Sequence, residues 1–333
     1  MTVLVTGAAG FIGSATCVAL ADAGYKVYGV DSISDYYSTE LKTLRVKNFL
    51  EPNGIKFELM ELSDHAKVNQ LVNAINPEAV IHLAAQAGVR TPVEKLTKYV
   101  DANLVGFSNV LESVISHEVP NFLYASSSSV YGDTSKIPYS ENEIGMQPKS
   151  FYGSTKLANE IFTKSVIEST QTRAIGMRFF TVYGPWGRPD MAYFRIFSDL
   201  LSDSKFELFG DGSVQRDFTY IDDTTKGIVA LLQNALKISL GKSEIFNIGG
   251  GNPVSINELI SAIEIQTGLQ LTRKTTNAII GDVKLTMADF AKLQSFTQFK
   301  PTITLAEGLK AFFVWANQEE IKTKLTSWVR SVP

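Results

Sequence analysis

Cysteine is nearly missing from this chain. Cys17 is the only one in 333 residues, so no intrachain disulfide can form and no cysteine cage can hold a metal. Histidine is almost as scarce, and His65, His82 and His117 lie too far apart for a ligand spacing, so no metal site is expected. A basic run is also lacking. The 31 lysines and arginines against 34 aspartates and glutamates leave a net charge of −3, which argues against nucleic acid or a membrane surface as a partner. No long apolar span occurs, nor a basic leader with a cleavage site, and together with the lone cysteine this leads to the expectation of a cytoplasmic protein. What remains is an ordinary globular composition, 44% hydrophobic and 20% charged, on a chain long enough for one large domain or two closely joined ones.

Short, near-continuously apolar runs alternate with helical stretches. The runs are Val3 to Thr6, Lys26 to Val30, Lys56 to Met60, Ala79 to Ala84, Phe122 to Ser126 and Ala174 to Phe180. Between them, Gly13 to Ala23, Asp64 to Ile75, Tyr99 to His117 and Phe151 to Ser169 read as helices. Strands of this kind are buried on both faces, so the alternation predicts βαβ units, an α/β fold with a doubly wound parallel sheet. After Phe180 the pattern becomes turn-rich and aromatic, as in Tyr183-Gly184-Pro185-Trp186-Gly187-Arg188-Pro189. Ser255 with Glu258 forms a capping box for a helix through Thr267, and Thr304 can cap another that runs to Trp315. The stretch Asn317 to Pro333 is polar and gives no clear element. No flexible linker interrupts the chain, so the second part is expected to pack directly on the first.

Gly7-Ala8-Ala9-Gly10-Phe11-Ile12-Gly13 follows the first strand and opens the first helix, the setting in which glycines let a pyrophosphate approach backbone amides at a helix N-terminus. Asp31 ends the second strand, 18 residues after Gly13, where a carboxylate can accept from both adenosine ribose hydroxyls and would repel a 2′-phosphate. NAD is therefore preferred over NADP. Glu61-Leu62 closes the third strand, beside the adenine position. Tyr152 and Lys156 stand four residues apart on a predicted helix and share one face. A fixed ammonium beside a phenol favours the phenolate, which makes tyrosine usable as an acid–base.

TGAAGFIG at Thr6 to Gly13, LAAQAGVR at Leu83 to Arg90, SSSSVYG at Ser126 to Gly132, and Tyr152 with Lys156 together resemble the extended short-chain dehydrogenase/reductase family over nearly the whole chain. The resemblance implies a Rossmann-type NAD-binding domain over 1–180 with a return segment at about 217–247. A smaller mixed α/β nucleotide-sugar domain over 181–216 and 248–333 completes the division. It implies catalytic roles for Ser127, Tyr152 and Lys156. Cofactor contacts are implied for Gly7, Gly10, Phe11, Ile12, Gly13, Asp31, Ser32, Asp35, Glu61, Leu62, Leu83, Ala84, Ala85, Asn103 and Phe179, with Tyr152 and Lys156 again.

Three local runs are most similar to the family's UDP-hexuronate 4-epimerases: Asp35-Tyr36-Tyr37 with Leu41-Lys42 and Arg45; Arg178 to Pro185; and Arg188-Pro189-Asp190-Met191-Ala192. What this implies is reversible inversion at C4 of UDP-glucuronate, giving UDP-galacturonate, by way of a 4-keto sugar and bound NAD. Arg90, Ser127, Ser128, Ser129, Thr181, Arg188, Arg216 and Asp282 would contact the UDP-sugar, with Thr181 and Arg188 on the carboxylate and Arg216 on the diphosphate. For Arg188 a structural fork onto nearby backbone carbonyls is the alternative. UDP-glucose or UDP-N-acetylglucosamine is the alternative substrate. A decarboxylase or dehydratase is disfavoured, because Ser128 and Ser129 stand where the family's lyases resemble one another in carrying acids. The resemblance also implies a homodimer joined through the helices Tyr99 to His117 and Phe151 to Ser169.

Overall fold

The computed structural model describes residues 1–89, 93–133, 136–278 and 283–332. Seven parallel strands form the central sheet: β1 (Thr2–Thr6), β2 (Lys26–Asp31), β3 (Lys56–Leu59), β4 (Ala79–His82), β5 (Asn121–Ser127), β6 (Arg173–Phe179) and, from later in the chain, β10 (Ser243–Ile248). β4, β5 and β6 are buried at every position, which explains why they read as unbroken apolar runs. The spatial order is β10-β6-β5-β4-β1-β2-β3, so the order reverses between β1 and β4. A doubly wound sheet opens a crevice at the carboxyl ends of the strands at such a point. Thr6 and His82 mark that edge, their side chains 2.9 Å apart.

The helices on the sheet are α1 (Phe11–Asp22), α2 (Thr39–Arg45), α3 (His65–Ile75), α4 (Leu96–Val100), α5 (Gly106–Ser116) and α6 (Phe151–Ile167), with α8 (Ile221–Gln233) against α1. The long helix expected from Tyr99 is α4 and α5 joined by a π turn at Asp101–Val105. Such bulges re-aim side chains, and this one carries Asn103 inward.

The remaining elements are β7 (Thr181–Tyr183), β9 (Gln215–Tyr220) and β11 (Pro253–Ser255) in a three-stranded sheet, and β8 (Phe206–Phe209) paired with β12 (Arg273–Thr276). Around them lie α7 (Ala192–Leu201), α9 (Ile256–Thr267), α10 (Ala291–Thr297), α11 (Leu305–Ala316) and α12 (Glu319–Arg330). Both expected capping boxes are present, Ser255 with Glu258 and Thr304 with Glu307. One hydrophobic core runs from Val3 and Val5 of the parallel sheet through Tyr193 and Phe312 to Trp328, so the second part packs on the first without a linker.

The polar tail that gave no clear element in sequence is α12. Ile321, Leu325 and Trp328 recur at helical spacing and are buried, a narrow apolar stripe among charges. Trp328 Nε1 donates to Glu40 at 2.8 Å and Ser38 N to Ser331 Oγ at 2.8 Å, tying the tail to the start of α2.

Candidate active site

The dinucleotide loop owes its shape to its glycines. Gly7 takes φ +73°, and a Cβ there would lie 2.6 Å from the Ala84 amide nitrogen, where β1 meets the segment after β4. A Cβ on Gly13 would fall 1.9 Å from the Gly7 carbonyl oxygen. α1 begins at Gly10 with no side-chain cap and no acid in its first turn, so its dipole and amides are left for an anion. Asp31 accepts from the Ala9 amide at 3.0 Å and from Ile33 at 2.7 Å, which sets its carboxylate beside that loop. A cradle that any side chain would fill, a helix terminus without a capping acid and a strand-end carboxylate together fit a dinucleotide.

Other residues expected around the cofactor divide into two groups. Ser32, Leu62, Leu83, Ala84 and Ala85 are half-buried at strand ends, and Phe179 is buried beside Ser127 in register. Asp35 instead turns outward, 78% exposed, to pair with Lys98 at 2.9 Å, and Glu61 is exposed. Asn103 spends its amide inside the protein: it accepts from Gln86 N at 2.8 Å and donates to Gln86 O and to Thr155 Oγ1 of α6. It thereby links the crevice floor to the helix that carries Tyr152.

Ser150 caps α6 by accepting from Gly153 N, and the helix presents Tyr152, Lys156 and Glu160 along one face. Ser127, the last residue of β5, lies on the Tyr152 phenol's side and favours its ionised form. Lys156 is buried and its Nζ donates to the Ala125 carbonyl at 2.9 Å, 6.0 Å from the Tyr152 ring centre. Burial lowers the Lys156 pKa to about 8. Burial raises the Tyr152 pKa, and the charge that opposes this most is Arg188, followed by the Ser127 hydrogen bond. The nearest cation in sequence is thus not the main one acting on the phenol. Behind this group His82 is held neutral, its pKa pushed down to about 3 by burial and by Lys156.

On the sugar side, Thr181 and Ser129 are half-buried, as is Ser128, and Ser127 Oγ accepts from Ser129 N at 3.1 Å. Arg188 is 24% exposed and forks onto the Asp190 carboxylate, Nε donating to Oδ1 at 3.0 Å and Nη2 to Oδ2. Its partner is a carboxylate rather than backbone carbonyls. The guanidinium lies 6.0 Å from the Tyr36 ring centre. Arg216 donates through Nη1 to the Gln215 and Val283 carbonyls, which anchors it on β9. Arg90 and Asp282 lie outside the described residues. Among the described residues no cluster of three or more His, Cys, Asp or Glu can hold a metal ion, and no helix is long and apolar enough to cross a membrane.

Residues to which sequence assigned no role also enter. Asp190 orients Arg188 from two positions along. Lys42 is buried, donates to Ser34 O at 2.6 Å and to Ser34 Oγ, and has its pKa lowered to about 8 by burial despite the nearby Asp31. Arg45 is fully buried between the two loops. Lys42 and Arg45 belong to the run Leu41-Lys42 and Arg45 that carries the family resemblance, which assigned them no contacts.

The profile of the NAD dependent epimerase/dehydratase family matches residues 3–249. The chain is 37% identical to protein CapI of Staphylococcus aureus over 95% of its own length and 98% of that protein. It is 42% identical to UDP-glucuronate 4-epimerase 4 of Arabidopsis thaliana over 95% of this chain and 75% of the plant protein. Among solved structures, the UDP-glucuronic acid 4-epimerase of Bacillus cereus in complex with UDP-glucuronic acid and NAD superposes with a TM-score of 0.87 at 36% identity, covering 97% of this chain and 99% of that one.

Proposed function

The chain belongs to the NAD dependent epimerase/dehydratase family, and from that premise we propose that it interconverts UDP-glucuronate and UDP-galacturonate by inverting C4 of the sugar. The relatives named as UDP-glucuronate 4-epimerases, and the B. cereus structure with NAD and UDP-glucuronic acid, support the reaction and the cofactor. The observation that carries the choice of sugar is Arg188. It is a largely buried cation close enough for its charge to act on the Tyr152 phenol, so a carboxylate at C6 meets it when the C4 hydroxyl meets Tyr152.

Bound NAD supplies the reversible oxidation of C4. Tyr152 takes the proton of the 4-hydroxyl and later returns it, and Ser127 hydrogen-bonds the reacting oxygen and the phenol. Arg188 and Ser127 offset the desolvation that works against the phenolate. Lys156, hung from the Ala125 carbonyl, provides a cation beneath the site. The glycine loop and the N-terminus of α1 receive the pyrophosphate, and Asp31 the adenosine ribose. Arg216, fixed by two carbonyls, holds the UDP diphosphate; Arg90 and Asp282 keep the UDP-sugar contacts that the family resemblance implies. Inversion needs a firm UDP anchor and a sugar free to turn. Ser128 and Ser129 bring no carboxylate, so the site has hydroxyls for oxidation and re-reduction but no acid there to drive elimination.

Incubation with UDP-glucuronate and catalytic NAD is expected to yield UDP-galacturonate with no net NADH; a pentose or 6-deoxy-4-keto product would overturn the reading. Arg188→Ala is expected to lower kcat/KM for UDP-glucuronate about 100-fold and any UDP-glucose turnover by less than about threefold, the difference reporting a charge-assisted contact to the carboxylate. Equal losses would make Arg188 a structural residue.

The same proposal includes a homodimer in the cytoplasm. α6 exposes Ile161, Phe162 and Val166, and Leu111 and Ile115 of α5 line a shallow cavity with the last two; an apolar face of this kind is buried by pairing with its twin. Cys17, the lone cysteine, is buried, which suits a reducing compartment. Sedimentation is expected to give a dimer that Phe162→Glu converts to a monomer; a wild-type monomer would refute it.

A further inference from the structure

Arg45 is fully buried, and every N–H of its guanidinium is used. Nε and Nη2 donate to the Trp186 carbonyl at 2.9 and 2.7 Å, and Nη2 also to Gly187 O at 2.9 Å. Nη1 donates to Ala9 O at 3.2 Å and to the Tyr37 hydroxyl at 2.6 Å. One side of the fork therefore holds the dinucleotide loop. The other holds the two residues that immediately precede Arg188. No carboxylate is among these partners, so the cation is stabilised by carbonyl and hydroxyl dipoles aimed at it from three separate segments.

The loop on the sugar side needs such a hold. Trp186 adopts φ +62°, a left-handed conformation that a bulky residue keeps only when its surroundings over-determine it. Its ring is fixed between Phe49 and Trp315, and a Cβ on Gly187 would run into the Tyr193 hydroxyl at 1.6 Å. With the side chain packed and the carbonyl forked by Arg45, the direction in which the chain leaves for Arg188 is set.

We propose that Arg45 is a positioning residue that registers the Arg188 loop against the cofactor loop, so that NAD binding at Gly7–Gly13 and hexuronate binding at Arg188 are coupled through one guanidinium. Its effect on the sugar rests on the reading of Arg188 as the carboxylate-binding residue. The coupling between the two loops does not. The alternative is that Arg45 only fills a polar hole, in which case its loss lowers stability without favouring one sugar or one loop. Lysine has no planar fork and cannot reach Ala9 and both loop carbonyls together.

The test uses the full chain and Arg45→Lys, with Tyr37→Phe as a milder variant that removes one acceptor of Nη1. On NAD-loaded protein, calorimetry is expected to show UDP-glucuronate binding weakened about 10-fold by Arg45→Lys and about 3-fold by Tyr37→Phe, with UDP-glucose changed less than about 3-fold. Arg45→Lys combined with Arg188→Ala is expected to bind UDP-glucuronate no more weakly than Arg188→Ala alone, because both act through one contact. Independently of any sugar, NAD is expected to slow amide exchange across 184–190 in the wild type but not in Arg45→Lys, while 7–13 stays protected in both. Equal losses for both sugars or additive losses in the double variant would overturn the positioning role. Protection of 184–190 that survives Arg45→Lys would overturn the coupling. If Arg188→Ala leaves UDP-glucuronate affinity unchanged, the carboxylate reading fails instead, and the exchange experiment alone decides for or against Arg45.

Discussion

Replacing Tyr152 with phenylalanine is expected to lower C4 epimerisation about 1000-fold while NAD and UDP-sugar affinities stay within about threefold of wild type. The hydroxyl is the only group the substitution removes. Tyr152 is half-exposed at the start of α6, so its loss costs little in packing, and the capping of α6 by Ser150 is untouched. What disappears is the proposed acceptor for the sugar's 4-hydroxyl proton, whose upward pKa shift from burial Arg188 and Ser127 oppose. A variant retaining more than about a tenth of the rate would mean that another group moves the proton. In the wild type, kcat/KM is expected to fall as pH rises through about 8, the value to which burial lowers Lys156. The sign follows from burial: below that pH the lysine keeps the positive charge that lies beneath the site, and above it the charge is lost. The stability change runs the other way. An unfolded lysine binds more protons than the folded one between pH about 8 and about 10.4, so this group stabilises the fold increasingly across that window.

The second large effect is structural. Glu160→Ala is expected to destabilise the protein by about 3–5 kcal/mol, seen as a lower midpoint in urea denaturation. Glu160 lies on α6 four residues after Lys156, and both its oxygens accept from Arg178 of β6, at 2.9 and 2.7 Å. The Ser126 hydroxyl of β5 donates to the same carboxylate. Arg178 is 2% exposed and Glu160 8% exposed, so removing the acid strands a guanidinium where water cannot reach it. A guanidinium does not give up its proton in a protein, so the stranded charge cannot escape by deprotonation. A double change to Glu160→Leu with Arg178→Met removes both charges and is expected to recover most of the loss. If Glu160→Ala alone costs less than about 1 kcal/mol, the pair is not the tie between α6 and the sheet. Because that tie sets α6 beside Ser127, the same variant is expected to lose activity in proportion to its distortion of α6.

Much of the site was readable before any coordinates. The glycines at Gly7, Gly10 and Gly13, the acid at Asp31 and the pair Tyr152 and Lys156 are local patterns: each depends on neighbours in the chain or on one helical turn. The alternation of apolar runs likewise set the parallel sheet. The element that sequence left open, α12, hid because its buried stripe is only Ile321, Leu325 and Trp328 within a charged segment. The partners of Asn103 were not legible either: the π turn aims it at Gln86 and Thr155, which are distant in sequence.

Sequence alone therefore determined the α/β class, the dinucleotide loop and the helix on which Tyr152 and Lys156 share a face, since periodicity and adjacency encode which residues share a strand end or a helix face. Tertiary structure decided which charges act on which groups. Arg45 meets the Trp186 carbonyl across 141 residues. Arg188, paired with Asp190 just along the chain, lies 36 residues after Tyr152 in sequence, yet its charge acts on that phenol. Electrostatic and hydrogen-bond energies depend on distance and burial in space, and neither can be read from spacing along the chain.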